Sequence, residues 1–484
     1  MIIRGEFGLL FNSVEFLFIF LPLVLGIYYV LPHRAQNAFL VVASCAFYAS
    51  WDWRFLAPLL FTSSLDFWIS KRLETAKERG WTAQRRKRYV VISVIANLSL
   101  LGFFKYFNFF AQSLVELLAL LGIQTDIHTL NIVLPVAISF YTFQALSYTI
   151  DVYRGDLHAT KSFWDFFLAV LYFPHLIAGP IQRASLLLPQ VTSPRKINAP
   201  QVVEGLHLMA WGFFKKVFIA DNLAPIVDAA FATSSPTGGE VVLGVFAFAF
   251  QIYCDFSGYT DIARGLAKIM GFEFSLNFNL PYFACNPPDF WRRWHISLSS
   301  WLRDYLYKPL GGNRDGIWMT HRNLMLTMLL GGLWHGAAWN YVLWGLYHGT
   351  ILILHRMISP LLSRADKSLK ALPGLWTLFT WGMMFLVTCY GWLLFRASSP
   401  EQITQMTLAL TQPLIGWNGA EMKRVTWIIS PLILVQIVQW KSGDLYFLNP
   451  KRVPTSVRTI AYAAMAYIIL FLGGQAQSFI YFQF

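Results

Sequence analysis

Several ionisable side chains stand where apolar sequence makes them costly. His335 lies in Gly331-Gly332-Leu333-Trp334-His335-Gly336-Ala337-Ala338-Trp339, flanked by glycines and tryptophans. A titratable group in such surroundings marks a functional site by default. Imidazole titrates near neutrality and suits a general base. The plainer reading is a buried histidine that braces one helix against another. The glycines would let a ligand or another backbone approach closely. His295 and Ser299 stand four residues apart and share a face if the segment is helical. They read as a Ser–His nucleophilic pair, or as an interfacial histidine beside an ordinary helix-face serine. His348 follows His335 by more than three helical turns, cannot share its site on one straight helix, and reads as structural.

Asp255 and Asp261 fall in Gln251-Ile252-Tyr253-Cys254-Asp255-Phe256-Ser257-Gly258-Tyr259-Thr260-Asp261, followed by Arg264. A carboxylate at the end of a span pairs with such an arginine, caps a helix, or faces a substrate. Lys215 and Lys216, after Trp211-Gly212-Phe213-Phe214, read as residues snorkelling to an interface. Arg183, after Gly179-Pro180-Ile181-Gln182, reads as an ordinary arginine with no special role, or else as an anion-binding one. Cys45, Cys254, Cys285 and Cys389 are scattered without metal or redox spacing and read as buried thiols. No metal-site motif or phosphate-binding glycine loop occurs, which argues against an ATP-driven pump and leaves metal ligands unassigned.

The elements that position these residues belong to a membrane. Apolar residues make up 56% of the 484-residue chain and charged residues 13%, against roughly 25% charged in a soluble domain. No charge occurs between Lys370 and Arg396, between Arg88 and Lys105, between Asp126 and Asp151, or after Arg458. A crossing helix needs about 20 mainly apolar residues. The alternation of a β-barrel is absent, so the fold class is all-α and polytopic. Candidate spans lie near 16–31, 38–51, 55–70, 89–104, 132–149, 163–177, 203–220, 241–254, 324–333, 339–355, 375–395, 425–439 and 460–472. Pro174, Gly179 and Pro180 interrupt the segment carrying His175, and Gly331-Gly332 are expected to divide another. The net charge of +13 fits the positive-inside rule better than nucleic-acid binding. The basic stretch from Lys71 to Arg88 is then cytoplasmic, and three preceding crossings put the N-terminus outside. The opening is not read as a cleavable signal peptide. One membrane-embedded domain over 1–484 is the simplest partition, with a motif-bearing core at 10–360 and C-terminal transmembrane helices at 361–484.

The centre of the chain departs from plain spans. Asn286-Pro287-Pro288-Asp289 signals a helix start. In the run from Phe290 to Tyr307, helical spacing puts Trp291, Trp294, Leu298, Trp301, Leu302 and Tyr305 on one face, with Arg292, Arg293 and Arg303 able to reach headgroups or phosphates. This predicts one amphipathic helix at the cytoplasmic interface.

Together these segments resemble the membrane-bound O-acyltransferase superfamily, and within it the alginate O-acetylation branch. The resemblance rests on Leu10-Phe11-Asn12-Ser13, Lys105-Tyr106-Phe107-Asn108-Phe109-Phe110, the run from Leu134 to Gln144, and His175-Leu176-Ile177-Ala178-Gly179-Pro180-Ile181. It extends through the Asp255–Asp261 stretch, the Trp291–Tyr307 run, the Gly331–Trp339 stretch and the closing Phe479-Ile480-Tyr481-Phe482-Gln483-Phe484. Met1 to Leu9 precede the usual start of such chains. The resemblance implies a ring of helices around short or re-entrant central ones that form a tunnel. It implies His335 as the catalytic base on an acceptor hydroxyl and His295 as the residue that positions or polarises the acyl donor. Asp255, Asp261, Trp291, Arg292, Arg303, Trp334 and Trp339 are candidate substrate- or donor-binding residues. No bound cofactor is implied. The implied donor is acetyl-CoA, used as a substrate on the cytoplasmic side of a bacterial inner membrane. The implied partners are a periplasmic protein of serine-hydrolase-like fold and a polysaccharide acceptor.

Within this class the acceptor is an exopolysaccharide most like alginate, or else peptidoglycan or cellulose. Transfer of D-alanine to teichoic acid from a carrier-protein thioester is a more distant possibility. Outside the class stand a transporter of polymer or lipid-linked sugar, with His335 lining a pore, and a non-catalytic scaffold.

Overall fold

The computed structural model describes residues 9–76, 78–125, 129–177, 179–368 and 373–483. All but Leu9 of the N-terminal extension lies outside them. Among the described residues the fold is helical, with no strand. Two compact units form: Met1–Met209 with Ile262–Ser275, and Ala210–Asp261 with Leu276–Phe484.

The first unit begins with α1 (Leu21–Val30), α2 (His33–Asp52), α3 (Leu56–Glu74), α4 (Ala83–Leu101), α5 (Phe107–Leu120) and α6 (Ile138–Arg154). Asp66, a carboxylate within the apolar segment of α3, is fully buried. It ties α3 to its neighbours by accepting from Ser93 Oγ, from Asn97 Nδ2 at 2.8 Å and from Thr149 Oγ1 at 2.8 Å. A buried carboxylate tolerates such a place only when donors replace its water. The break expected near Pro174 is present: α7 (Phe163–Leu171) gives way to the one-turn α8 (Phe173–Leu176). Helices α9 (Ala184–Thr192) and α10 (Ala199–Phe213) follow.

A π-helical stretch, Phe214–Ala220, leads to α11 (Asp221–Ala232) and α12 (Gly238–Ile269). Asp255 and Asp261 therefore lie inside one long helix, not at the end of a span. The run expected as one amphipathic helix is divided. Helix α13 (Pro287–Arg293) stops before His295, whose left-handed backbone (φ 42°) opens α14 (Ile296–Leu302), and a π-helical turn closes the run at Tyr307. Trp291 and Trp294 consequently do not share a helix face with Trp301.

Helix α15 (Ile317–His335) runs unbroken through Gly331 and Gly332, and the break falls after His335. These glycines serve helix contact instead. A Cβ on Gly332 would collide with the Tyr341 carbonyl of α16 (Trp339–Ser368), and one on Gly345 with the Met328 carbonyl. Small residues let two helices meet backbone to backbone. The chain closes with α17 (Pro373–Arg396), α18 (Pro400–Ala409), α19 (Gly419–Ser442) and α20 (Thr455–Phe471).

Four helical stretches among the described residues are long and apolar enough to cross a bilayer: Ala83–Leu120, Gly238–Ile269, Gly374–Arg396 and Gly419–Ser442. Large apolar side chains such as Phe18, Val30, Leu120, Leu434 and Leu470 are exposed, on a scale that calls for lipid. The protein is an all-α, polytopic membrane protein.

The α15–α16 contact makes a direct prediction. Gly332→Ala overpacks it and costs about 1–3 kcal/mol, whereas Gly382→Ala on α17, where a Cβ meets nothing within 4 Å, leaves stability unchanged or slightly raised. Thermal unfolding of the two variants in detergent checks this; equal melting temperatures would refute the tight contact.

Candidate active site

The site is built within the second unit. His335 is the last residue of α15, at the carbonyl end of the helix, which favours the positive charge a base acquires on taking a proton. Its ring is 6% exposed. Trp334, Trp344 and Phe395 stand around it, with ring centres at 5.1, 5.1 and 5.2 Å. Its Nδ1 lies 3.2 Å from the Tyr481 hydroxyl. The ring of His295 is 6.5 Å away, centre to centre. His295 lies between two short helices outside the spanning segments, is 1% exposed, and packs edge-on against Phe256 at 4.7 Å. Burial pushes its pKa down to about 3, so the ring is neutral at physiological pH.

A largely apolar cavity of about 120 Å³ opens on His335, lined also by Trp291, Leu298, Ser299, Leu302, Thr327, Gly331 and Trp344. That is less than the ~150 Å³ of an apolar cavity that holds benzene. It has room for a small acyl group and not for a coenzyme. Ser299 lines this cavity, but its hydroxyl donates to the Trp294 carbonyl at 3.2 Å instead of bonding to His295.

The remaining candidate residues divide. Trp334 is buried between the two histidines, 6.0 Å from the ring of His295, and Trp291 lines the cavity. Arg292 and Arg303 are exposed, and Arg303 forks onto Asp304 at 3.0 and 3.1 Å. Trp339 is half exposed at the start of α16. His348 packs against the far side of Trp344, at 4.7 Å, in keeping with a structural role.

Asp255 and Asp261 pair with lysines. Lys215 and Lys216, read as snorkelling side chains, are buried. The π-helical stretch that carries them turns both toward α12, and a Cβ on Gly258 of α12 would crowd the Gly212 carbonyl and the Lys216 amide. Lys215 Nζ reaches Asp261 Oδ2 at 2.6 Å and Ser257 Oγ at 2.9 Å. Lys216 Nζ reaches Asp255 Oδ1 at 2.6 Å, Asp221 Oδ1 at 2.8 Å and the Gln477 carbonyl at 3.0 Å. The two carboxylates neutralise the buried ammonium, and the Gln477 carbonyl accepts a hydrogen bond from it. The second oxygen of Asp255 accepts from the Ile480 amide at 2.8 Å. The charge cluster thus anchors the closing segment one residue before Tyr481.

Both histidines, Asn277, Trp344, Phe395 and the two buried lysines fall in a part of the chain that a known family shares. The profile of MBOAT, the membrane-bound O-acyltransferase family, matches residues 162–395. The chain is 46% identical to the probable alginate O-acetylase AlgI of Azotobacter vinelandii, over 83% of this chain and 78% of that protein. It is 40% identical to the probable alginate O-acetylase AlgI of Pseudomonas putida, over 98% of this chain and the whole of that one. Similarity extends at 34% identity to the peptidoglycan O-acetyltransferase of Helicobacter pylori, over 86% and 81%. The chain belongs to the membrane-bound O-acyltransferase family. It is an O-acyltransferase. Tyr481, Asn277 and Trp344 of this O-acyltransferase escaped the reading of the sequence. Tyr481 stood in a closing aromatic run whose family likeness was visible but whose role was not, and Asn277 and Trp344 carry no local signal.

Two outcomes test the geometry. Tyr481→Phe keeps the ring stacked on Phe479 and removes the hydroxyl at His335; acyl transfer falls at least tenfold with folding intact, and full activity would exclude the phenol from the chemistry. Lys216→Met leaves two buried carboxylates without their cation and costs about 3–5 kcal/mol, whereas adding Asp221→Asn and Asp255→Asn restores part of the loss. Denaturation of the single and triple variants measures the difference.

Proposed function

We propose that this O-acyltransferase O-acetylates an extracytoplasmic polysaccharide, most like alginate, from a bacterial inner membrane. The observation that carries the reading is the meeting of two histidines beside a small apolar cavity, with His335 hydrogen-bonded at Nδ1 and seated at the carbonyl end of its helix. The names of the relatives, alginate O-acetylases foremost, supply the polymer and the acetyl group.

The donor is a cytoplasmic thioester, acetyl-CoA. Its coenzyme is too large and too charged for the cavity, so the acetyl end alone approaches His335. His335 takes the proton of an acceptor hydroxyl as that oxygen attacks the thioester carbon. The C–S bond breaks, and the coenzyme thiolate leaves and takes up a proton. The acetyl group is passed to the polymer through a periplasmic partner of serine-hydrolase-like fold. His295 positions a reacting group beside His335. The apolar walls exclude water, which would otherwise hydrolyse the thioester, and they strengthen each hydrogen bond inside. A second reading, acetylation of peptidoglycan, is favoured by the Helicobacter pylori relative.

Purified protein in lipid nanodiscs, given labelled acetyl-CoA with and without partner and polymer, tests the proposal. His335→Ala remains folded and loses about 10²- to 10⁴-fold in coenzyme release, the usual share of a general base. Release from neither protein with the partner present would reject acetyl-CoA as donor. Release that is equal in both would reject His335 as the base. Acetylated peptidoglycan in place of alginate would select the second reading.

A further inference from the structure

His295 has two ring nitrogens, and their surroundings differ. Nδ1 lies 3.2 Å from Asn277 Oδ1 and 3.5 Å from Ser297 Oγ. Asn277 is fully buried, and the same Oδ1 accepts the Ser297 amide at 3.2 Å and the Ser297 hydroxyl at 2.9 Å. A backbone N–H can only donate, so the atom facing it is the amide oxygen; turning the side chain over would set NH₂ against N–H. An atom that only accepts faces Nδ1, so Nδ1 carries the proton. In a neutral imidazole the other nitrogen then holds a lone pair. Nε2 is buried and has no hydrogen-bond partner among the described residues.

We infer that Asn277 is a positioning residue that locks His295 in the Nδ1–H tautomer and so presents Nε2 to the site as a bare acceptor, for a substrate N–H or O–H other than the proton that His335 removes. The inference rests on the reading of His295 as part of the acyl-transfer site, and it decides which group His295 holds. A lone pair cannot polarise the thioester carbonyl, which has no proton to give. It can accept from a substrate N–H or O–H, and since the reacting hydroxyl gives its one proton to His335, the group on Nε2 is a different donor. The rings of His295 and His335 are 6.5 Å apart, centre to centre, so the group held on Nε2 lies beside the reacting one. Asn277 also receives the Ile296 amide on its carbonyl at 2.9 Å, so one residue sets both the backbone and the ring of its neighbour.

The test is nitrogen NMR of ¹⁵N-histidine-labelled protein in nanodiscs, with the His295 signals assigned by difference from His295→Gln, alongside steady-state transfer. The expected wild-type spectrum shows a protonated Nδ1 and a bare Nε2. Asn277→Leu moves the proton to Nε2 in a large fraction of molecules and lowers kcat about 10- to 100-fold, the effect typical of losing a group that orients a histidine, with KM for the donor little changed. Asn277→Asp keeps an acceptor at the same place, holds the tautomer and retains most of the transfer. A wild-type spectrum with a protonated Nε2 would overturn the inference even if His335→Ala abolished transfer. An unchanged tautomer in folded Asn277→Leu would overturn it as well. If Asn277→Leu does not fold, the wild-type and Asn277→Asp spectra decide the question alone. The tautomer is read without catalysis, so failure of the proposed function, with no transfer by the wild type, is separable from failure of the lock.

Discussion

An ammonium group withdrawn from water costs several kcal/mol unless protein groups take over from the solvent. Lys216 is withdrawn almost completely. Its three partners come from α11, from α12 and from the closing segment. Asp255 gives one oxygen to this lysine and the other to the Ile480 amide. The residue that neutralises the cation therefore also fixes the chain one step before Tyr481, and with it the hydroxyl at His335. The neighbouring Lys215–Asp261 pair holds the same two elements together. Both lysines can face α12 because they sit on a π-helical turn, where the wider winding changes the direction of successive side chains. Such turns recur at functional sites for this reason.

The second fixed point is the close contact of α15 and α16. Because Gly332 and Gly345 present no side chains to the opposing backbone, Trp344 is brought directly against the His335 ring. With Phe395 and Trp334 it forms an apolar wall. In such a wall a hydrogen bond is electrostatically stronger than in water, and an unmatched polar atom is correspondingly costly. Few polar atoms are therefore admitted. Those that reach the histidines, the Tyr481 hydroxyl, the Asn277 amide oxygen and the Ser297 hydroxyl, set how each ring is oriented.

Much of this was visible in the chain. The long uncharged runs marked the helices, since nothing but a helix satisfies its own backbone in lipid, and Pro174 marked a true break. His335 and His295 stood out because imidazole is expensive in apolar sequence. The errors share one physical origin. Gly331-Gly332 looked like a helix breaker, because composition does not tell a glycine that bends a chain from one that admits a neighbouring helix. Lys215 and Lys216 looked interfacial, because the α12 carboxylates that they meet, Asp261 and Asp255, lie tens of residues away. The same separation hid the ion pairs of Asp255 and Asp261. The Trp291–Tyr307 run kept helical spacing across a backbone break that no periodicity records. Local pattern reports the elements, while long-range charge pairing and backbone contact decide what each polar residue is for.

The break at His295 explains why a helix is not the best support for such a ring. A side chain in mid-helix projects sideways at a pitch set by the helix, and its nearest neighbours are residues three and four away. At φ 42° His295 instead occupies a conformation that costs a non-glycine residue roughly 1–2 kcal/mol. Such strain persists only where surrounding bonds over-determine it. Here they do: the Ile296 amide bonds to the Asn277 carbonyl, the Asn279 amide to the Arg293 carbonyl, and the Asn277 side chain to both Ser297 and the ring. The irregular segment exchanges helical regularity for a partner 18 residues away in sequence, and that partner controls one nitrogen of the ring while leaving the other to the substrate.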